Sequence, residues 1–229
     1  MEKSPYEVLP ITEKSWRIEE NGVRSFLFAG TDKALLVDTG FGSGNIREVV
    51  EGLTTLPIML VNTHADRDHI GCNKLFDTYM HPAEFDRYHQ AVGREFSAEP
   101  LWEQEIDIGG RCFEVILSPG HTPGSIVLLD SENKILIGGD SVQAGAIYMF
   151  GPGRNIDAYI CSMKELSVIR DSFDTVYPSH GLFPVDANII DELIAAAELI
   201  RDGKVEGRKP PHELPADLYE LGRVKFLYK

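Results

Sequence analysis

Long hydrophobic runs are missing from this chain: no apolar stretch approaches the roughly 18 residues that cross a bilayer, and the opening MEKSPYEVLPITEK lacks the apolar segment of a secretory signal. Both observations argue against a membrane protein and point to the cytoplasm. Cysteine is scarce as well. Cys72, Cys112 and Cys161 are far apart and odd in number, which disfavours a disulfide framework and a cysteine zinc site. They read as reduced thiols serving mostly in packing. Basic residues are outnumbered, 22 Lys+Arg against 36 Asp+Glu for a net charge of -14. That balance disfavours nucleic acid and anionic membrane surfaces, because phosphate binding relies on clustered Lys and Arg. A small molecule is the expected partner. There is no repeat of fixed period and no low-complexity segment, and 229 residues suit one domain over 1–229.

What is present is a series of short β-rich runs and amphipathic stretches. SWRIEE, VRSFLFAG and KALLVDTG read as strands, the first two joined by Asn21-Gly22, a strong hairpin signal. In NIREVVEGL, Ile46, Val49, Val50 and Leu53 fall at helical spacing. PIMLVNT is too short for a helix and apolar on both faces, so it reads as a buried strand. Pro82 fits the first turn of a helix running to about Val92. Two hairpins follow: EIDI with RCFEVILSP, where Phe113, Val115 and Leu117 alternate with polar neighbours, and SIVLLD with KILIGGD. Helical patterns run from Asp157 to about Arg170 and from Asp186 to about Arg201, with DTVYPSHG between them as strand plus loop. RVKFLY returns as an edge strand. Two halves, each a strand series followed by helices, point to an α/β protein with two sheets packed face to face and helices outside, an αββα sandwich.

Four of these strands end on a potential metal ligand: VNTHADRDH, LSPGHTPGS, LIGGDS and YPSHG. Loops at strand ends are where rigid scaffolds place reactive groups. THADRDH alone puts two imidazoles and two carboxylates into the six positions from His64 to His69. Imidazole suits zinc and iron, carboxylate favours harder ions, and the mixture suits a pair of divalent ions. His64 and Asp66, two apart on an extended segment, face the same way, and Asp68 and His69 can turn towards a second ion. A lone loop histidine is ordinarily structural; four strand ends carrying ligand types together are not so easily dismissed.

In this order the motifs resemble those of the metallo-β-lactamase superfamily: a His-x-His-x-Asp-His signature, a GHTPGS segment, an Asp after a GGD-type strand end, and a final His in a P-x-H-G loop. The match runs from DTGFG at Asp38 to Gly181. The resemblance implies an αββα sandwich of two mixed β-sheets flanked by helices. It implies His64, Asp66 and His121 on one divalent ion, Asp68, His69 and His180 on a second, and Asp140 bridging them, with zinc the first expectation. Asp38 becomes a buried carboxylate behind the ligands. One position departs: Asp66 stands where the family has its second histidine. Three carboxylates, two divalent ions and a hydroxide then sum to 4 − 3 − 1 = 0 rather than +1, which makes a weaker Lewis acid and tilts selection towards iron or manganese. The flavodiiron branch, with a Glu at this position and two irons, points the same way.

The activity so implied is hydrolysis of a small ester, thioester, lactone or phosphoester by a metal-bound hydroxide, with Asp68 or Asp140 orienting the nucleophile and accepting its proton. No G-x-S-x-G or Cys-His nucleophile motif competes. SPGHTPGS is especially similar to the glyoxalase II and small-hydrolase branches, although the 49 residues after His180 (229 − 180) are too few for glyoxalase II's helical C-terminal region. The alternative is a mononuclear iron enzyme resembling persulfide dioxygenases, held by His64, His121 and Asp140. A metal-free binding module is the third reading. Arg67 reads as exposed or structurally paired, with a substrate anion the other possibility. Tyr148, Met149, Phe150 and Phe41 read as pocket wall or core; Cys72, His81 and His89 read as structural or surface, and His212 is assigned nothing.

Overall fold

Asn21 and Gly22 both adopt positive φ, 52° and 85°, the conformation of a two-residue hairpin whose twist matches its strands. They join β2 (Ser15–Glu20) to β3 (Val23–Ala29), with Glu20 opposite Val23. The computed structural model describes residues 4–229 and divides into two compact units, one ending at Glu114 and the other comprising Val115–Lys229.

The first unit is built on a seven-stranded sheet whose spatial order is the chain order. β1 (Glu7–Thr12), β2, β3 and β4 (Ala34–Val37) run antiparallel; β5 (Ile58–Val61), β6 (Thr78–Met80) and β7 (Glu99–Pro100) continue in parallel. Helix α1 (Ile46–Glu51) makes the β4-to-β5 crossover. Asn45 caps it by accepting from the Arg47 and Glu48 amides, and Ile46 and Val50 pack with Leu36, Leu60 and Leu27. A parallel crossover places loops at the strands' carboxyl ends. Asp38 follows β4 there, and Asn62–His69 follows β5. Pro82 opens a single 3₁₀ turn, Pro82–Glu84, which runs into α2 (Phe85–Val92). β8 (Glu105–Asp107) pairs with the start of β9 (Cys112–Leu117). Phe113 packs on Phe28 with ring centroids 5.1 Å apart, and Arg111 lies 4.6 Å over the Phe28 ring.

β9 carries the chain across the boundary. In the second unit β10 (Ile126–Asp130) and β11 (Ile135–Gly139) form an antiparallel hairpin. β13 (Thr175–Pro178) lies parallel to β11, and β14 (Val185–Asp186) pairs antiparallel with β13. Helices α3 (Ile156–Val168) and α4 (Ile189–Arg201) bury Tyr159, Ile160, Met163, Leu193 and Ala197 in one cluster with Val127, Leu136 and Val176. A three-stranded sheet completes the unit: β12 (Ala146–Met149), β16 (Val224–Tyr228) and β15 (Asp217–Leu221), in that spatial order.

Several sequence expectations need correction. RVKFLY is the middle strand of its sheet, because β15 turns back onto it through Gly222 at φ 65° while β12 pairs with its other side. Phe226 is accordingly fully buried, edge-on to Tyr159 with ring centroids 5.6 Å apart. α4 begins at Ile189, since Asp186 belongs to β14 and accepts from the Asn188 amide instead. The alternation expected in β9 holds at Phe113 only: Val115 is half-buried and Leu117 exposed. Of the three free cysteines, Cys72 packs in the core, whereas Cys112 and Cys161 are exposed. No helix among the described residues is long and apolar enough to cross a membrane.

Candidate metal centre

The loop after β5 turns its imidazoles with a buried carboxylate. Asp38 lies at φ 62°, 1 % exposed, and accepts four hydrogen bonds. Asn62 Nδ2 (3.3 Å) and the Thr63 amide (2.8 Å) donate to Oδ1; Thr63 Oγ1 (2.7 Å) and His69 Nδ1 (2.8 Å) donate to Oδ2. Asn62 also donates to the His69 carbonyl at 2.9 Å and accepts from Asn73 at 2.7 Å, so the loop closes on itself.

These bonds fix tautomers. A carboxylate only accepts, so His69 carries a proton on Nδ1 and, as a neutral ring, presents Nε2 as a lone pair. The Thr63 hydroxyl spends its proton on Asp38 and therefore accepts from His64 Nδ1 at 3.0 Å, leaving His64 Nε2 bare too. The two rings lie 4.1 Å apart between centroids. His64 Nε2 faces Asp66 Oδ2 at 3.7 Å, and His69 Nε2 faces Asp68 Oδ2 at 3.8 Å.

The second unit repeats the device. His121 Nδ1 donates to the Tyr148 carbonyl at 3.0 Å, and Nε2 faces Asp140 Oδ2 at 3.7 Å. His180 Nε2 stands 3.4 Å from the other oxygen, Oδ1. The backbone needs glycine here: a Cβ on Gly120, at φ 138°, would lie 2.4 Å from Tyr159 Cα, and one on Gly181, at φ 71°, 2.3 Å from the Ala144 carbonyl oxygen. Both clashes are with backbone, and each glycine is the direct neighbour of a histidine of the set.

Separations of 3.7–3.8 Å are too long for hydrogen bonds. Imidazole lone pairs opposite carboxylate oxygens, with His64, His69 and His121 each anchored through Nδ1, are the donor chemistry of a divalent-metal site. The residues present fit such ions. The structure thus groups His64, Asp66, Asp68 and His69 within the first unit, and His121, Asp140 and His180 within the second.

The sequence profile of the metallo-beta-lactamase superfamily matches residues 18–206. The chain belongs to the metallo-beta-lactamase superfamily. Among curated relatives it is 28% identical over 207 residues to the acyl-coenzyme A thioesterase MBLAC2 of Gallus gallus, covering 72% of this chain and 75% of that protein. It is 27% identical over 179 residues to the probable metallo-hydrolase YqgX of Bacillus subtilis (strain 168), covering 69% and 84%. Among solved structures, a metallo-beta-lactamase from Pontibacter korlensis superposes with a TM-score of 0.69 at 20% identity, over 84% of this chain and 99% of that one. That likeness shows the fold, the αββα sandwich expected from the strand and helix order. The chain is accordingly an enzyme, a metal-dependent hydrolase of the superfamily.

Sequence reasoning missed the residues that brace the candidate metal donors. Glu84, fully buried, accepts from the Ala65 amide at 2.9 Å, and Arg87 Nη1 contacts Asp66 Oδ1 at 2.9 Å. Both lie in the segment already read as helical, and only a burial estimate for Glu84 would have drawn attention to them. The Tyr148 carbonyl had no sequence signal at all, since any residue supplies one. Arg67 is exposed. At the end of β12 the side chains part: Met149 is buried, Tyr148 is exposed, and Phe150, just after the strand, is half-buried with its ring 5.7 Å from that of Tyr148. Phe41 is exposed. His81 caps its 3₁₀ turn by accepting from the Ala83 amide, and His89 packs beside Phe85 and Tyr88.

Proposed function

We propose that His64, Asp66 and His121 hold one divalent ion, Asp68, His69 and His180 a second, and Asp140 both, and that the enzyme hydrolyses a small thioester or related ester. The observation that carries this reading is the shared tautomer: His64, His69 and His121 each donate from Nδ1 and aim Nε2 at a carboxylate oxygen. The name of the MBLAC2 relative favours a thioester over a lactone or phosphoester. Zinc is the first expectation, with iron or manganese its rivals because of Asp66. When bound, the ions supply Lewis acidity for the substrate's oxygen and lower the pKa of water.

The chain's own groups then orient that water and take its proton. Asp68 is the candidate base. Its side chain keeps a quarter of its surface in solvent, beside the fully buried His69, so a proton taken at Oδ2 can leave to bulk water. Asp140 spreads its two oxygens towards His121 and His180 and has less freedom to exchange protons. The strong negative charge favours a small substrate over nucleic acid. Two exposed free thiols are in keeping with a reducing, cytoplasmic setting.

A panel of acyl thioesters, lactones and phosphodiesters, assayed with zinc-, iron- and manganese-loaded protein, tests this. Thioester hydrolysis that falls at least ~100-fold in Asp68→Asn supports the reading. A single bound iron with sulfur-dependent oxygen uptake would instead establish the dioxygenase alternative.

A further inference from the structure

The two oxygens of Asp66 have different tasks. Oδ1 meets Arg87 Nη1 at 2.9 Å, while Oδ2 faces His64 Nε2 at 3.7 Å. The backbone beside it is held independently, because fully buried Glu84 accepts from the Ala65 amide and Ala65 packs in a cluster with buried Tyr88 and Met80. One segment, Glu84 to Tyr88, therefore grips the Asp66 region three times: at the amide before it, at the methyl before it, and at its own side chain.

We propose that Arg87 is a positioning and charge-compensating residue for the metal centre, fixing Asp66 as a ligand through Oδ2 alone. This rests on the metal reading above. Two physical consequences separate it from an ordinary surface ion pair. First, a carboxylate with one oxygen on a guanidinium cannot rotate to chelate through both, which sets where the ion sits. Second, the net charge changes. Three carboxylates and a hydroxide cancel two divalent ions, and Arg87 returns one positive charge beside the carboxylate that brought the extra negative one. The centre thereby regains the electrophilic bias that Asp66 would otherwise remove. A partly exposed ion pair adds little to folding stability, so the purely structural alternative predicts almost no effect on metal binding.

The test is calorimetric titration of Zn²⁺, and separately Mn²⁺, into metal-stripped full-length protein, with thermal unfolding of each stripped variant alongside. Arg87→Met should weaken one of the two binding events by roughly 10- to 100-fold, the range for groups that orient metal ligands, and leave the other unchanged. Arg87→Lys, which keeps the charge and loses the rigid fork, should recover part of that loss. In an Asp66→Ala background Arg87→Met should have no weakening effect, since the guanidinium then has no ligand to place. Unchanged or tighter binding in Arg87→Met, or an equal loss with and without Asp66, overturns the proposal. If the stripped Arg87→Met protein melts early, the Arg87→Lys and Asp66→Ala arms decide. If the unaltered protein takes up no metal, or if His64→Ala leaves uptake unchanged, the metal reading itself fails and takes this inference with it.

Discussion

Replacing Asp38 by Asn removes a charge and keeps the shape. The residue sits at φ 62°, a left-handed conformation that Asn and Asp both tolerate, so the substitution adds no backbone strain. What changes is the hydrogen-bond inventory. The carboxylate accepts from Asn62, the Thr63 amide, Thr63 Oγ1 and His69 Nδ1, whereas an amide offers one acceptor oxygen and two donors. With its oxygen kept towards Asn62 and the Thr63 amide, its NH₂ confronts the Thr63 hydroxyl and the His69 Nδ1–H. The hydroxyl can rotate. His69 is 0 % exposed and can only surrender its Nδ1 proton, which moves the proton to Nε2 and disables the ligand. A charge-assisted hydrogen bond contributes roughly 1.5–3 kcal/mol, and a buried donor left unsatisfied costs about 1–3 kcal/mol. The metal-free protein should therefore lose about 2–4 kcal/mol in urea unfolding, and zinc affinity should fall by ~10- to 100-fold. Unaltered stability together with unaltered zinc affinity would refute the tautomer reasoning on which the site rests.

Glu84→Ala removes the acceptor of the Ala65 amide and leaves a buried gap; a loss of about 2–4 kcal/mol is expected in thermal unfolding, and Glu84→Gln, which keeps an acceptor oxygen, should lose clearly less. At the other end of the chain, the hydrogen bond and charge of Arg223 hold the Asp186 carboxyl down at about 2. A folded-state value below the unfolded one contributes stability above about pH 4 that is lost as pH falls towards 2. Asp186 is half exposed, so solvent screening limits this to roughly 1 kcal/mol or less. The stability difference between the unaltered protein and Arg223→Met should shrink between pH 5 and pH 2, and a pH-independent difference would contradict the assignment.

Much of the fold was legible because its signals are local. Asn21-Gly22 can only be a tight turn between those strands, and the apolar VRSFLFA and KALLV runs fit a doubly buried sheet. Strands β1, β12 and β15 were not legible. AIYM is four residues long, EVLPIT carries a proline, and DLYEL has two acids and a proline-rich approach; each is a strand only because a partner pairs with it. The same divide runs through the site. His64, Asp66, Asp68 and His69 announce themselves by density, and His121, Asp140 and His180 by their glycine-rich turns. Their holders did not, since Glu84 and Arg87 differ from any helical Glu or Arg only in what the fold sets opposite them.

The central claim is that these donors bind two divalent ions. Elemental analysis of the protein after reconstitution with zinc, iron or manganese and removal of excess metal tests it most directly. Two ions per chain are expected, falling in His121→Ala and in His69→Ala. No retained metal, or the same loading after His64, His69, His121 and Asp140 are all replaced by Ala, would contradict it.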